Sequence, residues 1–373
     1  MSGAALEPRD ETELAELLAA PGGALEILGA GTKRGIGRAL EAQPLELAAL
    51  RGILDYEPRE LVLSARAATP LAEIDAALRS ERQQLASEPP DLGALLGSTA
   101  QPTLGGALAA NLSGPRRISS GSLRDHFLGF RAVNGRGERF KGGGRVVKNV
   151  TGYDLPKLLA GSWGTLAVLT EVTVRVHPAP ECERTLRIEV REAGRACALL
   201  RRALGSDCEL SAAAFEPGRG VLLRLEGWED SLRAQLARLL HVLGQPDHEL
   251  LDAAASRDCW RQIREVRSLA DAPVLWRLCI PPRDAPRILE ALAAERYLID
   301  WGGGLVWLAE QDVRAESVRR AVHTGHALLV KAPAALRATT AVFPPRPGVR
   351  QQLDAALKAA FDPLGRLNPG RMS

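Results

Sequence analysis

Cysteine is scarce. The chain has five in 373 residues, Cys182, Cys197, Cys208, Cys259 and Cys279, widely spaced and without a CxxC pair. That spacing encodes neither a zinc site nor an iron–sulfur cluster, and it fits a reducing, cytoplasmic setting. No apolar run reaches the ~18 residues that a membrane-spanning helix needs. The opening stretch, MSGAALEPRDETELAELLAA, is acidic early and lacks a basic segment followed by an apolar core, so a signal peptide is not expected. Aromatic residues make up 4% of the chain, lysine is rare, and the net charge is only +3. No aromatic-and-basic stripe offers a stacking platform, and the charge is too small to argue for nucleic acid.

Charge is also missing locally. From Leu92 to Gly114 there is no charged residue, yet the run is too rich in Gly, Ser, Thr, Asn and Pro for a membrane helix. Solvated loops are usually charged. This stretch, within Leu95 to Asp125, therefore reads as polar backbone wrapped closely around a ligand. Gly105-Gly106 lets main chain approach without a Cβ. Thr103 is placed to cap a short helix, Leu104 to Asn111, whose first N–H groups favour an anion.

Length suggests two or three domains. Asp10 to Ala20 reads as a helix and Ala24 to Leu28 as a strand. The strand runs into Gly29-Ala30-Gly31-Thr32-Lys33-Arg34-Gly35-Ile36-Gly37, where backbone N–H groups suit a phosphate. The dinucleotide fingerprint would need glycine at position 34, which is Arg34, and the P-loop's GK followed by Ser or Thr is absent. A tight turn without a ligand remains the plain alternative. Strands follow at Leu45 to Leu47, Ile53 to Tyr56 and Leu61 to Ala65. A helix, Leu71 to Arg79, has Pro70 at its first position. Phe127 to Val133 and Glu138 to Lys141 form a hairpin through Asn134-Gly135-Arg136-Gly137, and Gly142-Gly143-Gly144 reads as a flexible break. Val146 to Tyr153 leads into a helix, Leu155 to Ala160. Leu166 to Val176 alternates as a strand, and Pro178-Ala179-Pro180 reads as a linker. Beyond the linker, strands and helices alternate with hairpins through Ala309, an α+β layer of a sheet with helices on one face. A last helix, Gln351 to Phe361, precedes the tail.

GAGTKRG after a strand, TLGGALAANLSGPRR, GSLRDHFLG, NGRGE, GGRVVKNVTGYDLPKL, GSWGTLAVLTEVTVRVHP and DPLGRLNPGRM follow one another in order. In this order the chain resembles the FAD-binding domain of the vanillyl-alcohol-oxidase (PCMH) type. Within that type it resembles the FAD-binding E subunits of bacterial glycolate oxidases. The resemblance covers essentially the whole chain. It implies an α+β fold with a two-lobed FAD-binding domain at 1–179, its lobes about 1–66 and 67–179. A smaller α+β cap at 180–345 and a returning tail at 346–373 would follow.

The resemblance also implies a site. Gly29, Ala30, Gly31, Thr32, Lys33 and Arg34 would wrap the FAD pyrophosphate. Thr103, Leu104, Gly105, Gly106 and Ala107, with Asn111, Ser113 and Gly114, would form the second wall. Gly121, Ser122 and Asp125 would run past the ribityl chain and flavin. Gly164, Thr165, Val168 and Leu169 would receive the adenine, and Asn368 would return to the isoalloxazine. Neither His nor Cys occurs between Ala24 and Arg51, so the FAD is expected to be non-covalent. His126 and His177 read as structural.

Oxidising a 2-hydroxy acid needs a base near the flavin and a cation for the carboxylate. The sister catalytic subunit carries a motif like HAGDGNLH. The corresponding stretch here is DWGGGLVW, where Asp300 and Trp307 replace the histidines and Gly303 the acid. No metal ligand set is expected. Asp300 as a base, and Arg277 or Arg264 as a carboxylate clamp, are the candidate catalytic residues. Three functions are open: an FAD-carrying subunit of a complex with a sister flavoprotein subunit and an iron–sulfur subunit, located in the cytoplasm or peripherally at the inner membrane through that complex; a stand-alone FAD-dependent 2-hydroxy-acid dehydrogenase; or a non-catalytic FAD-stabilised assembly and relay subunit.

Overall fold

The computed structural model describes residues 4–145 and 152–372. Residues 146–151 of the expected segment Val146 to Tyr153 lie outside them.

The first helix, Glu11–Ala19, starts where Asp10 accepts hydrogen bonds from the N–H groups of Thr12 and Glu13, and the acidic first turn suits the helix dipole. Its face Leu14, Ala15 and Leu18 is buried against Leu25, Leu45 and Leu367. The strand Leu25–Leu28 pairs in parallel with Gln43–Glu46, and the glycine-rich loop connects the two. A second, five-stranded antiparallel sheet follows, in the order 53–57, 62–66, 167–175, 127–134, 139–143. Sheet membership thus changes between Glu46 and Ile53. The long central strand, Ala167–Arg175, alternates in burial at its far end, as a strand with one solvent-facing side must.

Two local expectations need correction. Gly142 and Gly143 belong to the strand Arg139–Gly143 rather than to a break. A Cβ at Gly142 would lie 2.8 Å from the Phe130 ring, and one at Gly143 2.0 Å from the Leu128 carbonyl oxygen. These glycines admit a neighbour rather than confer freedom. Pro70 is the cap of the helix Leu71–Ser80, in extended conformation, and not its first helical residue.

His177–Pro178 pairs with Gln83–Gln84, so the linker is stitched to the first half of the chain. The remaining sheet has eight antiparallel strands in the order 248–251, 182–188, 220–227, 210–216, 296–300, 305–310, 274–279, 326–331. The helices Ala193–Leu204, Glu229–Leu243 and Ala253–Arg264 pack on it. Its core also takes in Ile36, Leu92, Leu95, Ala110 and Leu112. The uncharged stretch therefore packs against the eight-stranded sheet as well as its own.

A buried ionic cluster ties the two halves together. Glu88 accepts from both terminal nitrogens of Arg224 at 3.0 Å and from the Arg116 N–H at 2.9 Å. Arg116 in turn pairs with Glu226. The paired guanidinium groups hold the Glu88 carboxyl well below the usual carboxylate range, against the opposing effect of burial.

The last helix, Val349–Phe361, leads into a tail that folds back on the first strand. Leu25 N–H donates to the Arg366 carbonyl, and Asn368 N–H donates to the Leu25 carbonyl. Arg366 donates to the Leu18 and Ala20 carbonyls at the end of the first helix. Buried Asp362 accepts from Lys358 and from the N–H groups of Arg366 and Leu367.

Candidate functional site: a glycine-lined cleft with an unpaired lysine

A cleft opens between the glycine-rich loop, the helix Leu104–Ala110 and the tail. Gly29 through Arg34, Thr103, Gly105, Gly106, Gly164, Leu169 and Asn368 all line it. A second cavity, lined by Asn111 and Thr165, meets the first at Ser162, Asn368 and Arg371.

Glycine sets the spacing at two points. A Cβ on Gly29 would lie 2.6 Å from the Thr103 hydroxyl, so only glycine lets the loop rest on the helix start. Gly31 has φ +67°, the left-handed conformation that turns the following N–H groups inward. Thr103 caps the helix by accepting from Gly106 N–H at 3.2 Å. The other N–H groups of that first turn are also used: Leu104 donates to the Thr69 carbonyl and Gly105 to the Ala67 carbonyl. The helix start is therefore satisfied by protein, whereas its sequence suggested free donors. The N–H groups of Ala30, Gly31, Thr32 and Lys33, by contrast, have no partner among the described residues.

Beside them lies Lys33, whose ammonium has neither a hydrogen bond nor an ion pair among the described residues. Burial pushes its pKa down to about 8, partly opposed by Asp91. Arg34 differs: it pairs with buried Glu26 at 2.5 Å. Consecutive unpartnered donors around a desolvated, uncompensated cation fit a polyanion such as a pyrophosphate. Further along, the lining is small and apolar (Ala67, Ala68, Ala109, Ala110, Ala167), as a flat ring system requires.

Several lining residues were not anticipated. Trp163 holds φ +54°, donates its N–H to the Ala109 carbonyl, and meets Phe343 edge-on at 5.4 Å. Ser162 and Arg371 also line the cleft. The motifs GSWGT and PGRM contain all three, but their spacing alone does not show which side chains turn inward. Asn368 forms the floor: its side chain accepts from Ile27 N–H at 2.8 Å and donates to the Trp163 carbonyl at 2.7 Å.

Other candidates lie elsewhere. Leu104 and Val168 point into the cores on either side. Ser113, Gly114, Gly121, Ser122 and Asp125 do not line the two cavities. Ser122 and Asp125 form a capping box on the short helix Leu123–His126, and the Gly114 carbonyl accepts from the Trp301 indole at 3.0 Å. His126 shares a 2.7 Å hydrogen bond with the Ser120 carbonyl and stands edge-on to His177.

The candidate catalytic residues gather only in part. Arg277, nearly fully buried, lies over Trp301 at 5.0 Å and Trp307 at 5.8 Å, while Arg117 covers Trp301 at 5.0 Å. Asp300 is buried, accepts from Trp301 N–H at 2.7 Å, and is pushed up to about 7 by desolvation. Arg264 sits apart, beside Gly114 and the interdomain ion cluster. None of the three lines either cavity.

Together the nest of donors, the unpaired cation and the small apolar lining suit a ligand that carries both a polyanion and a flat ring system. Residues 3–143 match the family described as "FAD binding domain". Over 361 residues the chain is 38% identical to the glycolate oxidase subunit GlcE of Escherichia coli, spanning 93% of this chain and 92% of that one. A D-lactate dehydrogenase of Anaerostipes hadrus is 35% identical over 137 residues, 37% of this chain and 27% of that one. An alkyldihydroxyacetonephosphate synthase structure superposes with a TM-score of 0.68 at 14% identity, covering 98% of this chain and 76% of that one, and so shares the fold. The chain belongs to the GlcE-type family of FAD-binding oxidoreductase subunits.

Proposed function

We propose that this chain is the non-covalent FAD-carrying subunit of a complex that oxidises glycolate or another small 2-hydroxy acid at its CH–OH group. The observation that carries the cofactor assignment is unpaired Lys33 beside the free N–H groups of residues 30–33. These hold the pyrophosphate, and Gly164 and Leu169 flank the adenine. Bound FAD supplies the hydride acceptor. No His or Cys lines either cavity, which supports reversible binding. In domain terms, residues 1–179 hold the FAD, 180–345 form a cap, and 346–373 close the cleft from below.

The division of labour follows from the cap. Asp300, the carboxylate at the position of a catalytic base, is committed to Trp301 N–H and lies outside the cleft lining. Arg277 is engaged by a sulfur and two indoles. The base and the carboxylate clamp therefore come from a sister FAD-binding subunit, and an iron–sulfur subunit takes the electrons onward. We place the complex in the cytoplasm, peripheral at the membrane; no helix among the described residues is long and apolar enough to cross one. The test is the visible spectrum of the purified chain during anaerobic addition of glycolate or D-lactate, alone and with its partners. Flavin released on denaturation, with bleaching only in the complex, is the expected result. Bleaching of the isolated chain would place the base in this subunit and overturn the division of labour.

A further inference from the structure

A strand places alternate residues on one face, so Arg277 and Cys279 project from the same side of the strand Val274–Cys279, and His326 lies opposite Cys279 on the neighbouring edge strand. The Arg277 Nη1 is 2.9 Å from the Cys279 sulfur. Arg277 is 6% exposed, and no carboxylate pairs with it among the described residues. A desolvated guanidinium without a counter-anion is costly, and the sulfur is the group positioned to supply that anion. His326, opposite Cys279, and Arg117, from the short helix Arg117–Ser120 across the junction, both favour the charged form of the sulfur. Asp300 is the acidic neighbour of Arg277, and it is buried and hydrogen-bonded to Trp301 N–H. Cys279 remains partly exposed at its strand end.

The other four cysteines lack this setting. Cys197 and Cys259 are buried and pushed up by desolvation, Cys182 is raised by Glu229, and Cys208 donates to the Gln235 carbonyl. The cations around Cys279 outweigh its burial and bring the thiol down to about 7.

We propose that Cys279 is a thiolate modification site that reacts with small neutral peroxides. The sulfur attacks one oxygen of hydrogen peroxide, the S–O bond forms as the O–O bond breaks, and hydroxide leaves and takes up a proton to become water. The sulfur loses two electrons, the peroxide gains them, and the product is a sulfenic acid held against Arg277.

The test uses the FAD-loaded full chain. Equimolar hydrogen peroxide followed by dimedone should add mass to the Cys279 peptide alone. Iodoacetamide at pH 7 should alkylate Cys279 at least tenfold faster than any other cysteine, with a half-maximal rate near the pKa of about 7. Arg277→Gln should lower the rate at pH 7 about fivefold, the loss of thiolate that a rise of about one pKa unit from about 7 produces. His326→Ala, at an exposed strand end, should lower it less and serves if the first variant does not fold. Labelling of Cys279 no faster than Cys182, or rates unmoved by both substitutions, would overturn the proposal.

Discussion

With Lys33 on the pyrophosphate, as proposed, cofactor affinity should depend on pH. In the cofactor-free cleft the Lys33 pKa is lowered from 10.5 to about 8. A bound pyrophosphate supplies the missing counter-charge and restores the ordinary value, so FAD binding takes up a proton between those limits. Affinity should be flat below about pH 7 and about tenfold weaker by about pH 9, because one unit of displaced titration corresponds to about 1.4 kcal/mol. For the cofactor-free protein the sign is opposite. The unfolded chain keeps this proton up to 10.5 while the folded chain releases it near 8, so its stability rises with pH across that window. Lys33→Met should remove the slope and cost about 1.5–3 kcal/mol of affinity at neutral pH, the range for a charge-assisted contact. Titrating cofactor-free protein with FAD, followed by flavin fluorescence at several pH values, reads both effects. A wild-type dissociation constant unchanged from about pH 7 to 9, or a slope that persists in Lys33→Met, would refute the assignment of Lys33 to the pyrophosphate.

Gly106→Asp puts a carboxylate into the cleft wall, its Cβ already 3.0 Å from the Thr103 hydroxyl; it should purify colourless, and full yellow occupancy would remove that wall from the site. Glu88→Gln leaves Arg116 and Arg224 short of a counter-charge at the junction and should cost about 3–5 kcal/mol in denaturant unfolding; a loss under about 1 kcal/mol would mean the cluster is not desolvated. Asp362→Ala strips the acceptor from Lys358, Arg366 and Leu367, so stability should fall by about 3 kcal/mol together with FAD retention, and unaltered retention would show that the tail does not shape the cleft. His126 and His177 are both lowered by burial, His177 to about 4. They are held neutral in the fold, so the melting temperature should drop as pH falls from about 6.5 toward 4, with a shallower fall in His177→Gln.

Much of this architecture could be read from local chemistry. Asp10 before an acidic turn marked the first helix, alternation marked Ala167–Arg175, and the glycine-rich loop after Leu25–Leu28 marked one wall of the cleft. What escaped depends on partners distant in sequence. The first-turn N–H groups of Leu104 and Gly105 look free in isolation, but the carbonyls of Thr69 and Ala67 take them. Gly142 and Gly143 look like a hinge until the Phe130 ring and the Leu128 carbonyl are seen against them. The strand His326–Lys331 lies between Gly325 and Pro333 and has an apolar centre, but its place at the sheet edge is defined only by its pairing with Val274–Cys279. Arg277 was legible as a buried cation, whereas its sulfur partner needed the pleat of the strand.

The floor of the cleft has a consequence for biosynthesis. Asn368 bonds to Ile27, 341 residues earlier, and Arg371 lines the same space. During translation the glycine-rich loop, the helix Leu104–Ala110 and the strand Ala167–Arg175 all leave the ribosome long before the residues that close the cavity beneath them. If FAD binds as proposed, its capture follows synthesis of the tail, and a chain halted before residue 346 would leave the donors of residues 30–33 without the floor that Asn368 supplies.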